Sequence, residues 1–172
     1  MRLAHVLLAL GFAMLAPGAA FAAPAVRIVA IGASNTSGWG VGEQAAYPAQ
    51  LEALLRAKGY NVTVVNAGIP FETTNGMLAR IDSSVPDGTR IVILQPGGND
   101  LRFFGTRERR TANINAMVAR LRARHITPIV YDPVFPPEDY QWDHIHINAA
   151  GHMKIARALL PQVIAALGGK KR

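Results

Sequence analysis

The chain has 172 residues, half of them apolar, and 18 Lys and Arg stand against 11 Asp and Glu. That is enough chain for one domain with a substantial core, and the absence of cysteine excludes disulfides, a thiolate nucleophile and Cys-ligated zinc. The formal charge of +7 is a modest excess, suited to solubility and to attraction toward anionic lipid or polymer surfaces; no nucleic-acid partner is expected from it.

The first stretch differs in kind from the rest. Arg2 gives a short positive start, Val6–Leu15 is almost wholly apolar, and Ala20-Phe21-Ala22 has the small-x-small form of a cleavage site. This reads as a secretory signal peptide over residues 1–22, too short in its apolar run for a good membrane span. The expected folded domain is therefore residues 23–172, exported to the periplasm or secreted after cleavage.

Val26–Asn35 (Val-Arg-Ile-Val-Ala-Ile-Gly-Ala-Ser-Asn) opens that domain. Its β-branched run reads as a buried strand, and Gly32 is expected to allow a turn that a Cβ would hinder. Ser34 then stands on the carboxyl edge of a sheet, where open α/β sheets place their ligands. Thr36–Gly42 reads as a flexible loop, and its Gly38-x-Gly40-x-Gly42 spacing does not fit a dinucleotide-binding turn. Tyr47-Pro48 opens a helix with Tyr47, Leu51, Leu54 and Leu55 on one stripe, stopped by Gly59.

Asn61–Asn66 reads as a second strand, ending at Ala67-Gly68. Thr73 or Thr74 can cap a short helix carrying Met77, Leu78 and Ile81. Arg90–Gln95 is a third strand, ending at Pro96-Gly97-Gly98-Asn99-Asp100. A long helix over Thr106–Arg124 follows, with Ile114, Met117, Val118 and Leu121 at helical spacing and its arginines on a solvated face. Pro128–Tyr131 is a short fourth strand and Asp132–Gln141 is irregular. Asn148 can cap a last helix, in which Pro161 should produce a kink. Strands alternating with helices imply a parallel sheet covered on both faces, so Ser34, Gly68 and Asn99 converge at one edge.

A serine hydroxyl needs a base, and the base needs a partner that fixes its tautomer. Asp143-His144-Ile145-His146 offers both, because a local turn brings Asp143 to Nδ1 of His146 and leaves Nε2 for Ser34. The N–H groups of Ser34 and Gly68 and the Asn99 amide can supply an oxyanion hole. His144 and His152 read as surface residues. Asp143, His144, His146 and His152 also admit a metal-site reading with an H-x-H core, which leaves the Ser, Gly and Asn blocks unexplained; no metal and no organic cofactor is expected.

These blocks carry a resemblance. Ile31-Gly32-Ala33-Ser34, Asn66-Ala67-Gly68, Gly97-Gly98-Asn99-Asp100 and Asp143-x-x-His146, in that order over the whole domain, resemble the SGNH (GDSL-type) hydrolases, most of all the small exported lysophospholipase/thioesterase-like esterases. The resemblance implies a flavodoxin-like three-layer α/β/α sandwich with a parallel sheet of four to five strands. It also implies ester hydrolysis through an acyl-serine. Ser34 would be the nucleophile, His146 the base and Asp143 the orienting acid, with Gly68 and Asn99 as oxyanion donors. The expected substrate is a small-molecule or lipid ester, and the expected state is a monomer with weak membrane-surface association. An O-acetyl esterase of carbohydrates and a non-catalytic binding module on the same fold are the alternatives. Two departures stand out. Ala33 replaces the family's usual Asp, and only Asp132–Trp142 separates the fourth strand from Asp143, roughly thirty residues less than a further helix and strand would need.

Overall fold

The computed structural model describes residues 24–103 and 105–169; the expected signal peptide and Phe104 lie outside the described residues. Strands β1 (Val26–Gly32), β2 (Val62–Gly68), β3 (Thr89–Gln95) and β4 (Thr127–Val130) form one parallel sheet in the order β2-β1-β3-β4. Along β1 the pleat sends Ile28 and Ala30 to one face and Val29 and Ile31 to the other, as the two-residue period of a strand requires. Both faces are apolar because both are covered.

One face carries α2 (Tyr47–Ala57) and α6 (Ala149–Ala166), which supply Leu51, Leu55, Ile155 and Leu159 to its core. The other carries α3 (Thr74–Ser84) and α5 (Arg107–Ala123), which supply Met77, Ile81, Met117 and Leu121. The result is a three-layer α/β/α sandwich. Two one-turn helices, α1 (Ser34–Ser37) and α4 (Asn99–Arg102), follow β1 and β3 directly. The register sets Gly32 beside both Gly68 and Gln95, so three strands end at one level. The chain leaves β1 toward β2 on one side and β3 leads to β4 on the other, which makes the β1/β3 carboxyl edge the crevice of the fold.

Element boundaries follow local chemistry. The Asn148 Oδ1 accepts from the Gly151 N–H at 2.9 Å, capping α6 as expected, and Gly59 ends α2 at φ 81°, a conformation that costs glycine little. At α3 the cap comes from elsewhere. Neither Thr73 nor Thr74 caps with its own side chain; the buried Asp100 carboxylate accepts from the Thr74 N–H (3.0 Å) and hydroxyl (2.6 Å). Of the expected loop over Thr36–Gly42, Thr36 and Ser37 close α1 and residues 38–41 are turn, and α6 continues through Pro161.

His152 is completely buried and is not the surface residue expected from sequence. Its Nδ1 accepts from the Tyr47 N–H at 3.2 Å, and its buried Nε2 has no partner among the described residues. The neutral tautomer therefore carries its proton on Nε2. Protonating Nδ1 would point two donors at each other in an apolar surround, and burial holds the imidazole down at about 4, against about 6.5 in an open chain. Between these values the unfolded chain binds the proton and the folded one does not. Stability is thus expected to fall from pH 6.5 toward pH 4 by roughly 3 kcal/mol through this residue. Urea denaturation across that range should show a shallower decline in His152→Gln; the same slope in both proteins would remove His152 as the cause.

Candidate active site

The serine turn is built by close packing. A Cβ at Gly32 would run into Thr36 Oγ1 and come within 2.7 Å of the Gln95 carbonyl oxygen. Glycine is needed here for that approach of β1, α1 and β3, and not for a left-handed turn, since Gly32 is not among the positive-φ residues. Thr36 is fully buried and its hydroxyl donates to Gln95 Oε1 at 2.7 Å, which pins α1 to the end of β3. Ala33 is buried among the apolar side chains of the α3/α5 layer, so a methyl group fills the position where the resemblance leads one to expect a carboxylate. Ser34 is the first residue of α1, where a helix N–H lacks an intrahelical acceptor.

The histidine loop is equally local. Asp143 Oδ1 accepts from the backbone N–H groups of Ile145 and His146, both at 2.9 Å, and Oδ2 meets His146 Nδ1 at 2.6 Å. These donors hold the Asp143 carboxyl down at about 2, the His146 backbone bond being the largest cause. The carboxylate stays charged at any pH at which an imidazole titrates, and it fixes the proton of His146 on Nδ1. His144, in the left-handed region at φ 55°, makes the tight turn between them.

Contacts missed by sequence reading join this loop to the serine turn. Asn35 Oδ1, beside the serine, accepts from the Ile147 N–H at 2.9 Å, beside the histidine. Gln141 Nε2 donates to the carbonyls of Trp39 (2.7 Å) and Ile147 (2.9 Å). Trp39 stacks on His146 with centroids 5.7 Å apart and planes 27° apart, and Phe71 meets Trp39 edge-on. No hydrogen bond joins Ser34 Oγ to His146 Nε2 among the described residues. Such bonds are often long before substrate binds.

The residues expected to be oxyanion donors are not positioned alike. Asn99 is buried at the start of α4 and donates one amide N–H to the Glu72 carbonyl at 2.9 Å, which leaves its second N–H. The Gly68 N–H donates to Asn66 Oδ1 at 3.0 Å, because the Asn side chain folds back two residues along the chain. The Gly68 N–H is therefore free to donate elsewhere only if Asn66 releases it. Beneath both, Arg80 forks onto Glu72 at 2.7 Å and 2.5 Å and donates to the Ala67 carbonyl at 2.8 Å.

Ser34 and Asn99 share a cavity of about 510 Å³. His144 and Ile145 of the histidine loop also line it, as does the irregular stretch that begins at Asp132. The arginines of α5 do not simply form a solvated face. Arg110 is largely buried, donating to the Gly97 carbonyl at 3.0 Å and pairing with Asp132 at 2.6 Å, and Arg124 donates to the Val85 carbonyl at 2.6 Å. Among the described residues the sheet carries no strand beyond β4, whose Val130 is 42% exposed.

Known proteins resemble this arrangement. The sequence profile of the GDSL-like lipase/acylhydrolase family matches residues 30–168. An arylesterase of Vibrio mimicus is 28% identical over 116 residues, which are 64% of this chain and 56% of that protein; the chain thus spans little more than half the length of this curated relative. Among solved structures, TesA superposes with a TM-score of 0.75 at 20% identity, covering 81% of this chain and 99% of its own. AlinE4, described as an SGNH-hydrolase family esterase, gives a TM-score of 0.62 at 26% identity over 84% of this chain and 75% of its own.

Proposed function

The chain belongs to the GDSL-like lipase/acylhydrolase family, and on that premise we propose that it is an exported serine esterase hydrolysing carboxylic (thio)esters, in the manner of an arylesterase or lysophospholipase. The observation that carries this reading is the Asp143–His146 pair at 2.6 Å, on a loop tied by Asn35 to the turn bearing Ser34.

In this reaction Ser34 Oγ attacks the ester carbonyl as His146 Nε2 takes its proton, and the Asp143 carboxylate stabilises the resulting imidazolium. The Ser34 N–H and the second Asn99 N–H receive the oxyanion, joined by the Gly68 N–H once it leaves Asn66. Collapse expels the alcohol, which takes the proton back from His146, and leaves an acyl-serine. A water molecule then gives its proton to His146 and attacks the acyl carbon, and the acid departs as Ser34 regains its hydrogen. The substrate is a small or lipid ester. A monomer with weak attraction to anionic membrane surfaces fits the basic charge of the chain.

The test pairs turnover with a covalent label. p-Nitrophenyl esters of increasing acyl length should be hydrolysed, and a fluorophosphonate should add once, at Ser34, with loss of that activity. A folded protein with neither turnover nor label would instead be a binding module.

A further inference from the structure

The cavity that holds Ser34 is lined by three arginines, Arg102, Arg107 and Arg110, and by one acidic residue, Asp132. The pairing of Arg110 with Asp132 at 2.6 Å cancels one of the three. The guanidiniums of Arg102 and Arg107 make no hydrogen bond or ion pair among the described residues. Glu108 follows Arg107 in the chain but does not line the cavity; its carboxyl is held first by its own backbone N–H and by Thr106, with a smaller attraction from Arg107. An apolar wall stands in the same space, with Leu101 44% and Val134 95% exposed. Two cations without a hydrogen-bonded partner, one of them partly offset by Glu108, within a concave, partly apolar site attract an anion more strongly than the same charges on a flat surface.

Building on the esterase reading, we propose that the preferred substrates are carboxylic esters bearing a negatively charged carboxylate or phosphate group, which Arg102 and Arg107 receive while the ester carbonyl lies at Ser34. The apolar wall takes the hydrocarbon part between the two. Arginine suits this role, since its fork matches both kinds of anion. The shortened segment between β4 and Asp143 contributes by leaving this side of the cavity open at Val134.

The experiment compares kcat/KM within two matched pairs at low ionic strength. One pair places the anion on the acyl side (p-nitrophenyl hemiglutarate against p-nitrophenyl butyrate), the other on the alcohol side (acetylglycerol 3-phosphate against monoacetylglycerol). At least one pair should favour the anionic ester by about tenfold or more, the scale of a single charge-assisted contact, and that pair tells which side of the ester meets the arginines. The preference should shrink toward unity in 1 M salt, where the Debye length is about 3 Å, and in the doubly substituted Arg102→Gln/Arg107→Gln protein. Should that variant fold poorly, the salt titration on the intact chain decides the question alone. Equal or lower rates for the anionic esters in both pairs would overturn the proposal, as would a preference unmoved by salt and by both substitutions. Failure of the esterase reading looks different: neither member of either pair is hydrolysed and fluorophosphonate leaves Ser34 unlabelled.

Discussion

Ser34→Ala is expected to lower ester turnover by about 10⁴-fold or more, the scale on which loss of a triad nucleophile acts, while the protein still folds. The two halves of that expectation rest on different observations. Turnover depends on one oxygen, because Asp143 and His146 already form a bonded pair and need an alcohol to activate. Stability does not depend on it, since Ser34 Oγ makes no hydrogen bond among the described residues. What holds the turn are the neighbours: Thr36 on Gln95, Asn35 on Ile147, and the Ser37 hydroxyl on the Ser34 carbonyl at 2.9 Å. Removing one hydroxyl should change unfolding free energy by no more than about 0.5 kcal/mol. The measurements are p-nitrophenyl ester kinetics and a urea melt on the same preparation. Turnover within tenfold of the unsubstituted protein would take the nucleophile's role from Ser34.

The parts of this site legible in the sequence are those whose chemistry is local. A β-branched run cut off at Gly32 predicts a strand that ends at a serine, and a three-residue spacing from Asp143 to His146 predicts a carboxylate on Nδ1. Both arrangements need only a few consecutive residues, so composition and spacing determine them. The ties that set one loop against another are not of this kind. Asn35 and Ile147 are 112 positions apart, and Asp100 reaches Thr74 across 26; nothing in the spacing of either pair announces the contact. The Asn66 side chain removes the Gly68 N–H through a bond only two residues long, but any Asn near a strand end can make or forgo that bond.

His152 is a different case, because the sequence does carry its signal. It falls on the same stripe as Ile155, Leu159 and Val163, the buried face of α6, and residues three to four apart share a helix face. Helical spacing therefore outranks the general polarity of histidine. The arginines of α5 show the reverse. Their helix is so rich in charge that its pattern points to a solvated face, and only the packing shows Arg110 turned inward to Asp132.

Arg80→Ala should damage both stability and turnover. Arg80 and Glu72 are 17% and 10% exposed, and their two-pronged pair lies between α3 and the loop that follows β2. One guanidinium nitrogen also donates to the Ala67 carbonyl at 2.8 Å, and another to Ser84 Oγ at 3.0 Å. Alanine would leave a nearly buried carboxylate without its donors and take one donor from the Ala67 carbonyl, a loss of about 2 to 3 kcal/mol once partial exposure is allowed for. The consequence extends to chemistry because the Glu72 carbonyl orients Asn99. A loop free to shift loosens that amide, and losing one oxyanion donor costs roughly a hundredfold or more in turnover. Arg80→Lys keeps the charge but not the fork, so it should recover part of the stability and less of the rate. Glu72→Gln keeps the backbone carbonyl that Asn99 uses and should lose less turnover than Arg80→Ala. Denaturation midpoints together with kcat for the three variants separate the two effects. If Arg80→Ala unfolds within about 0.5 kcal/mol of the parent and turns over at the parent's rate, the pair holds neither the loop nor Asn99.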